Sequence, residues 1–128
     1  MIPPLPLVLI VDDNDRNRKL ARDVLRSDRF RTLEAATAAE GIALASEHLP
    51  DIILMDLRLP DLDGAEAVRM LRARPLTSRI PVVAVTALAL DAREGWLHDA
   101  GFAGYIAKPI DVDQLPDLVR RFSARGPD

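Results

Sequence analysis

The 128-residue sequence predicts an α/β fold of five consecutive βα units around a parallel sheet. Three observations carry that expectation. Short apolar runs recur at five places, with helix-like segments after each. The first, third and fourth runs are nearly continuous in apolar side chains, as strands covered by helices on both faces require. Carboxylates close two of those runs, Asp12-Asp13 and Asp56.

The first strand is expected over Leu7–Val11, after a proline-bearing lead-in, Met1-Ile2-Pro3-Pro4-Leu5-Pro6, that reads as extended chain. Helix 1 follows over Asp15–Ser27 with Leu20, Val24 and Leu25 facing inward. The second strand is placed at Arg31–Ala35, and Thr37 with Glu40 forms a capping box that starts helix 2 ahead of Ile42 and Leu44. The third strand spans Ile52–Asp56, and helix 3 begins after Asp63-Gly64. The fourth strand, 81–86, contains the cleanest apolar run, Val82-Val83-Ala84-Val85. Helix 4, around 92–100, has weak periodicity and contains Gly95, which makes it the least rigid helix expected. The fifth strand is Gly104–Ala107. Pro116 would forfeit a hydrogen bond in a helix starting at Asp111, so helix 5 is expected to start near Asp113, with Leu115, Leu118, Val119 and Phe122 on its apolar face. The expected organisation is a single domain over residues 1–128, with its core at about 6–123, short tails and no output domain.

Composition narrows the function. With 17 Lys+Arg against 20 Asp+Glu there is no basic field to hold DNA or an anionic membrane. The absence of cysteine removes disulfides and thiolate metal sites. The apolar runs are too short to span a bilayer and the N-terminus lacks the features of a secretory signal, so a cytoplasmic location is expected. His48 and His98 match no metal spacing and read as solvated surface.

In an open parallel α/β sheet, ligands bind outside the carboxyl ends of the strands, so Asp12, Asp13 and Asp56 can converge although distant in sequence. Converging carboxylates repel one another unless a hard cation joins them, and Mg²⁺, with its preference for oxygen ligands, suits such a group. Singly, Asp12 and Asp13 equally suit N-capping of helix 1.

The order Asp12-Asp13 after strand 1, Asp56 after strand 3, Thr86 after strand 4 and Lys108-Pro109 after strand 5 resembles the response-regulator receiver domain of two-component signalling. The resemblance covers nearly the whole chain. It implies a flavodoxin-like doubly wound sheet in the order 2-1-3-4-5. It also implies that Asp56 is the phosphoacceptor, taking a phosphoryl group from a sensor histidine kinase, a phosphotransfer protein or a small acyl phosphate. Asp13, Asp56, Asp12 and the backbone carbonyl of Arg58 are then the ligands of Mg²⁺ or Mn²⁺, with Asp12 acting less directly than Asp13. Lys108 assists the transfer. It is one of two lysines among the 17 basic residues, consistent with a need for a compact ammonium.

The resemblance further implies a cis peptide bond before Pro109, and a switch in which Thr86 meets the phosphoryl group while Tyr105 changes rotamer. Thr86 also suits a plain β-branched strand position, and Tyr105 a half-buried strand tyrosine. Leu88, Leu90, Trp96 and Tyr105 lie near the face formed by helix 4, the fifth strand and helix 5, through which family members contact partners, although Trp96 also suits a core. A downstream protein target, a monomer or phosphorylation-dependent dimer, and kinase contacts on helix 1 over 16–24 are implied as well. Arg58 and Leu88 occupy positions flanking the phosphoryl group, and Leu88 can offer no hydrogen bond to a hydrolytic water, so slow autodephosphorylation is expected.

Within the family, Ile80-Pro81-Val82-Val83-Ala84-Val85-Thr86-Ala87 and Tyr105-Ile106-Ala107-Lys108-Pro109-Ile110 are similar to the DivK type of stand-alone cell-cycle regulator. A receiver excised from a hybrid kinase would look the same. A haloacid-dehalogenase-type phosphohydrolase would use Asp13-Asn14-Asp15 as its Asp-x-Asp, but Arg16-Asn17 departs from that pattern and Asp56 would have no role. A flavin binder would need a Ser/Thr/Gly-rich phosphate loop where Asp-Asp-Asn-Asp stands.

Overall fold

The computed structural model describes residues 4–87 and 94–123. Five parallel strands, β1 (Leu7–Val11), β2 (Arg31–Ala35), β3 (Ile52–Asp56), β4 (Val82–Thr86) and β5 (Gly104–Ala107), form one sheet in the order β2-β1-β3-β4-β5. Helices α1 (Asp15–Ser27), α2 (Ala38–His48), α3 (Gly64–Arg72), α4 (Glu94–Ala100) and α5 (Leu115–Phe122) alternate with them. β3 and β4 are buried at every position, which explains their uninterrupted apolar runs.

The two-residue period of each strand sorts its side chains into two cores. Leu9, Val11, Ile53, Met55, Val82 and Ala84 point to the face covered by α2, α3 and α4, where they meet Ile42, Val68, Leu71 and Leu97. Val8, Ile10, Ile52, Leu54, Val83 and Val85 point the other way, toward Ala21 and Leu25 of α1 and Leu115 and Val119 of α5.

Three expectations are corrected. Leu20 is outward and 43 % exposed, and Ala21 takes the inward place four residues before Leu25. A small residue there lets α1 lie close to the sheet. β4 begins at Val82 rather than 81, because Pro81 has no N–H to give the ladder. α5 begins at Leu115, two residues later than expected. Asp111 holds a turn ahead of it, its side chain accepting from the Asp113 N–H and its carbonyl from those of Gln114 and Leu115. Pro116 still falls in the first turn.

Helix starts follow local chemistry. The Thr37 hydroxyl accepts from the Glu40 N–H, as a capping box predicts, while the Glu40 carboxylate reaches one residue past the cap and accepts from the Ala36 N–H instead of that of Thr37. Asp63 caps α3 through the Glu66 N–H.

Candidate functional site

Strand order reverses at β1, which has β2 on one side and β3 on the other, so a crevice opens outside the carboxyl ends of β1 and β3. Register sets the carboxylates there. Val11 pairs with Met55 and Asp56 with Val85, so Asp12 follows β1 at the level where Asp56 closes β3. Thr86 pairs with Ala107 at the end of β5, and the Lys108 N–H donates to the Thr86 carbonyl at 2.8 Å. Four strand ends thus deliver Asp12, Asp13, Asp56, Thr86 and Lys108 to one edge of the sheet.

Each of the three carboxylates offers an oxygen within 4.8 Å of the other two. Asp12 and Asp56 are buried, at 4 % and 7 % exposure, while Asp13 is exposed. Lys108 Nζ lies 2.7 Å from Asp56 Oδ2 and 3.2 Å from Asp12 Oδ2. Backbone N–H groups hold the remaining oxygens, that of Arg58 donating to Asp56 Oδ1 and that of Asn14 to Asp12 Oδ1, both at 2.9 Å. Burial pulls the Lys108 ammonium down, but its hydrogen bond to Asp56 and the charges of Asp12 and Asp56 outweigh that and hold it above its usual value. Three carboxylates against one ammonium leave a net negative group of hard oxygen donors, a donor set that fits Mg²⁺.

The N-cap of α1 is Asn14, whose side chain accepts from the Asn17 N–H. Asp12 and Asp13 are therefore not its caps. Arg18 donates to the Asp12 carbonyl at 2.7 Å and fixes the turn from behind. Asp15, the second acid of the Asp-x-Asp pattern, has a side chain 89 % exposed and pairs with Arg18 outside the carboxylate group. The phosphohydrolase alternative loses its second acid.

After Asp56 the chain makes a short closed loop. The Gly64 N–H donates to the Leu57 carbonyl at 2.9 Å, and Arg58 and Asp63 form an isolated bridge. A Cβ on Gly64 would stand 3.0 Å from Leu57 Cα and 3.1 Å from the Asp56 carbonyl oxygen, so glycine lets the start of α3 press against the backbone of Asp56. A cleft of about 330 Å³ lies over the carboxylates, bordered by Asp13, Asn14, Asn17, Asp56, Arg58, Thr86, Ala87 and Lys108. Thr86 is 3 % exposed. The Lys108-Pro109 peptide bond is cis.

Two candidates lie outside this cleft. Tyr105 is 37 % exposed and lines a separate groove with Leu97, His98 and Phe122. Trp96 is 39 % exposed, so it is not a core residue. It borders a hollow with Leu57, Arg58, Asp63 and Ala65, which places it toward α3 rather than in the groove of Tyr105. Leu88 and Leu90 lie outside the described residues. His48 and His98 are both exposed. Asn14 and Asn17 were missed in the sequence, although an Asn ahead of a helix is a capping signal. Asp61, in the loop between β3 and α3, accepts from the N–H groups of Ala38 and Ala39 at the start of α2, and no local signal in the sequence marks it.

Comparison with known proteins agrees with this geometry. Residues 8–120 match the family model described as response regulator receiver domain. The polar-differentiation response regulator DivK of Brucella ovis is 37 % identical over 115 residues, covering 90 % of this chain and 94 % of that protein. The receiver domain of the sensor histidine kinase PA1611 from Pseudomonas aeruginosa, solved with a magnesium ion in its active-site cleft, is 35 % identical with a TM-score of 0.83, covering 92 % of this chain and 97 % of that one. The chemotaxis response regulator CheY4 of Vibrio cholerae shares the fold with a TM-score of 0.87 at 24 % identity, over 92 % and 98 % of the two chains.

Proposed function

Because this chain belongs to the response regulator receiver domain family, we propose that Asp56 is its phosphoacceptor, serving a two-component pathway. The observation that carries the reading is the convergence of Asp12, Asp13 and Asp56 around Lys108 at the strand-order reversal. A carboxylate is ionised at neutral pH and needs no general base, but its attack on a dianionic phosphoryl group needs charge neutralisation. An Asp56 carboxylate oxygen forms the new P–O bond as the bond from phosphorus to an imidazole nitrogen or an acyl oxygen breaks, and the leaving group departs with the electron pair.

Asp12, Asp13, Asp56 and the Arg58 carbonyl would hold Mg²⁺, which when bound neutralises charge on the phosphoryl oxygens. Lys108 sits within hydrogen-bond distance of the acceptor carboxylate and pairs with the phosphoryl oxygens that replace its present contacts. The buried Thr86 hydroxyl donates to one of those oxygens, and Tyr105 relays the change to the groove it lines. The phosphoryl group thereby biases a pre-existing two-state equilibrium through contacts made in one state only. Arg58 borders the cleft and screens the aspartyl phosphate, whose loss is slow without a partner phosphatase. Phosphate release within seconds of donor removal would contradict that lifetime.

The partners of this reading are a sensor histidine kinase or phosphotransfer protein upstream and a protein target downstream, in the cytoplasm. Among the described residues no helix is long and apolar enough to cross a membrane. The likeness to a receiver within a sensor kinase supports a second reading, a receiver working inside a hybrid kinase; the neighbouring gene sequence distinguishes the two. The test is intact mass after incubation with a small acyl phosphate. One added phosphoryl group that needs both Mg²⁺ and Asp56 supports the proposal, and addition that persists in Asp56→Asn refutes it.

A further inference from the structure

The loop between β3 and α3 is fastened at its far end to another helix. Asp61 Oδ1 accepts from the Ala38 N–H at 2.8 Å and Asp61 Oδ2 from the Ala39 N–H at 2.9 Å. The first four N–H groups of a helix have no partner within it. In α2 the N–H of Glu40 is satisfied locally by the Thr37 hydroxyl, and the first bond of the helix itself runs from the Gly41 N–H to the Thr37 carbonyl. Asp61 therefore meets two of those N–H groups from a loop 22–23 residues away, with both carboxylate oxygens engaged.

At its near end the same loop carries Arg58, whose N–H holds Asp56 Oδ1 and whose carbonyl faces the ion in the reading above. The neck is closed by the Arg58–Asp63 bridge and the Gly64–Leu57 hydrogen bond, while Leu59 and Leu62 pack against the core. Asp61 lies between those two leucines and is the loop's only residue with hydrogen bonds to α2 among those described. Its carboxyl is held below the usual carboxylate range by the N–H groups of Ala38 and Ala39, which is the form in which both bonds are charge-assisted.

We infer that Asp61 is a positioning residue for the divalent-cation site, setting the Arg58 backbone by clamping the β3–α3 loop to the N-terminus of α2. The inference rests on the reading that Asp12, Asp13, Asp56 and Arg58 hold Mg²⁺. Groups standing behind metal ligands change affinity about 10–100-fold when removed. Asp61 acts through three residues of backbone, so the lower end, about 10-fold, applies. Thr37→Val supplies the control, because it removes a cap from the same helix start without touching the loop.

The experiment is calorimetric titration of Mg²⁺ into the wild type, Asp61→Ala, Asp61→Asn and Thr37→Val, with urea unfolding of each. The expected result is about 10-fold weaker binding in Asp61→Ala, a smaller loss in Asp61→Asn, which keeps an acceptor oxygen, and wild-type affinity in Thr37→Val. Hydrogen exchange should quicken at Arg58 and Leu59 in the metal-free Asp61 variants and not in Thr37→Val. If Asp61→Ala does not fold, Asp61→Asn carries the comparison. Equal affinity in the wild type and the Asp61 variants overturns this inference alone, as does equal weakening in Thr37→Val. A wild type that takes up no Mg²⁺ overturns the cation site and this inference with it.

Discussion

Replacing Asp13 with asparagine should make the metal-free protein more stable. Asp13 is the exposed member of the acidic trio, and Lys108 is committed to Asp12 and Asp56 at 3.2 and 2.7 Å. Two carboxylates repel the Asp13 charge from within 4.8 Å, and the ammonium offsets roughly one of them. At that distance one pair of charges interacts by about 0.9 kcal/mol in water and about 3.5 kcal/mol near a protein surface. Exposure puts Asp13 toward the watery end, so relief of about 1 kcal/mol is expected in Asp13→Asn. Mg²⁺ should reverse the balance. An ion held by the native trio stabilises the fold by RT ln(1 + [Mg²⁺]/Kd), about 1.4 kcal/mol at roughly ten times Kd. Asp13→Asn forfeits most of that. The assay is urea unfolding of both proteins in chelator and in excess Mg²⁺, with the denaturant slope confirmed equal. A variant less stable than wild type in chelator, or one gaining as much from Mg²⁺, would refute the reasoning.

Three further outcomes follow from the structure. Arg72 donates to the Ile80 carbonyl at 2.7 Å and the Gly101 carbonyl at 2.8 Å, tying the end of α3 to the segments before β4 and after α4. Arg72→Met strands both carbonyls and should cost about 2 kcal/mol in urea unfolding, after relief of the burial that holds its guanidinium pKa down; a change within about 0.5 kcal/mol, the usual span for an incidental surface residue, would contradict this. Gly64→Val drives a branched side chain into the Asp56–Leu57 backbone, costing about 1–3 kcal/mol and weakening Mg²⁺ binding in the same protein. Asp61 contributes stability that is fully present above its unfolded pKa, near 3.8, and is lost as pH falls through its lower folded value. The stability gap between wild type and Asp61→Ala should therefore close in acid, which unfolding curves taken from pH 7 downward would read.

The fold was legible because burial writes itself into composition. β3 and β4 are apolar up to their last residues, Asp56 and Thr86, since helices cover both their faces, and Thr37 with Glu40 marks a helix start by chemistry confined to four residues. The acidic trio was legible for a different reason, that parallel strands of like length end at one edge. Features decided between elements were not. Leu20 and Ala21 are both apolar, and only the distance from α1 to the sheet decides that the smaller faces inward. The α5 start depends on a turn organised by Asp111, and the side of α4 that carries Trp96 depends on how that short helix is rotated. Asp61 finds its partners 22–23 residues back in the chain, beyond any local pattern.

The central claim is that Asp56 carries the phosphoryl group. The most direct measurement is borohydride reduction of the protein after incubation with an acyl phosphate and Mg²⁺, followed by peptide mass mapping. An aspartyl phosphate is reduced to homoserine, so the account predicts homoserine at position 56 alone, and none when Mg²⁺ is chelated. Homoserine at another aspartate, with residue 56 unchanged, would contradict it.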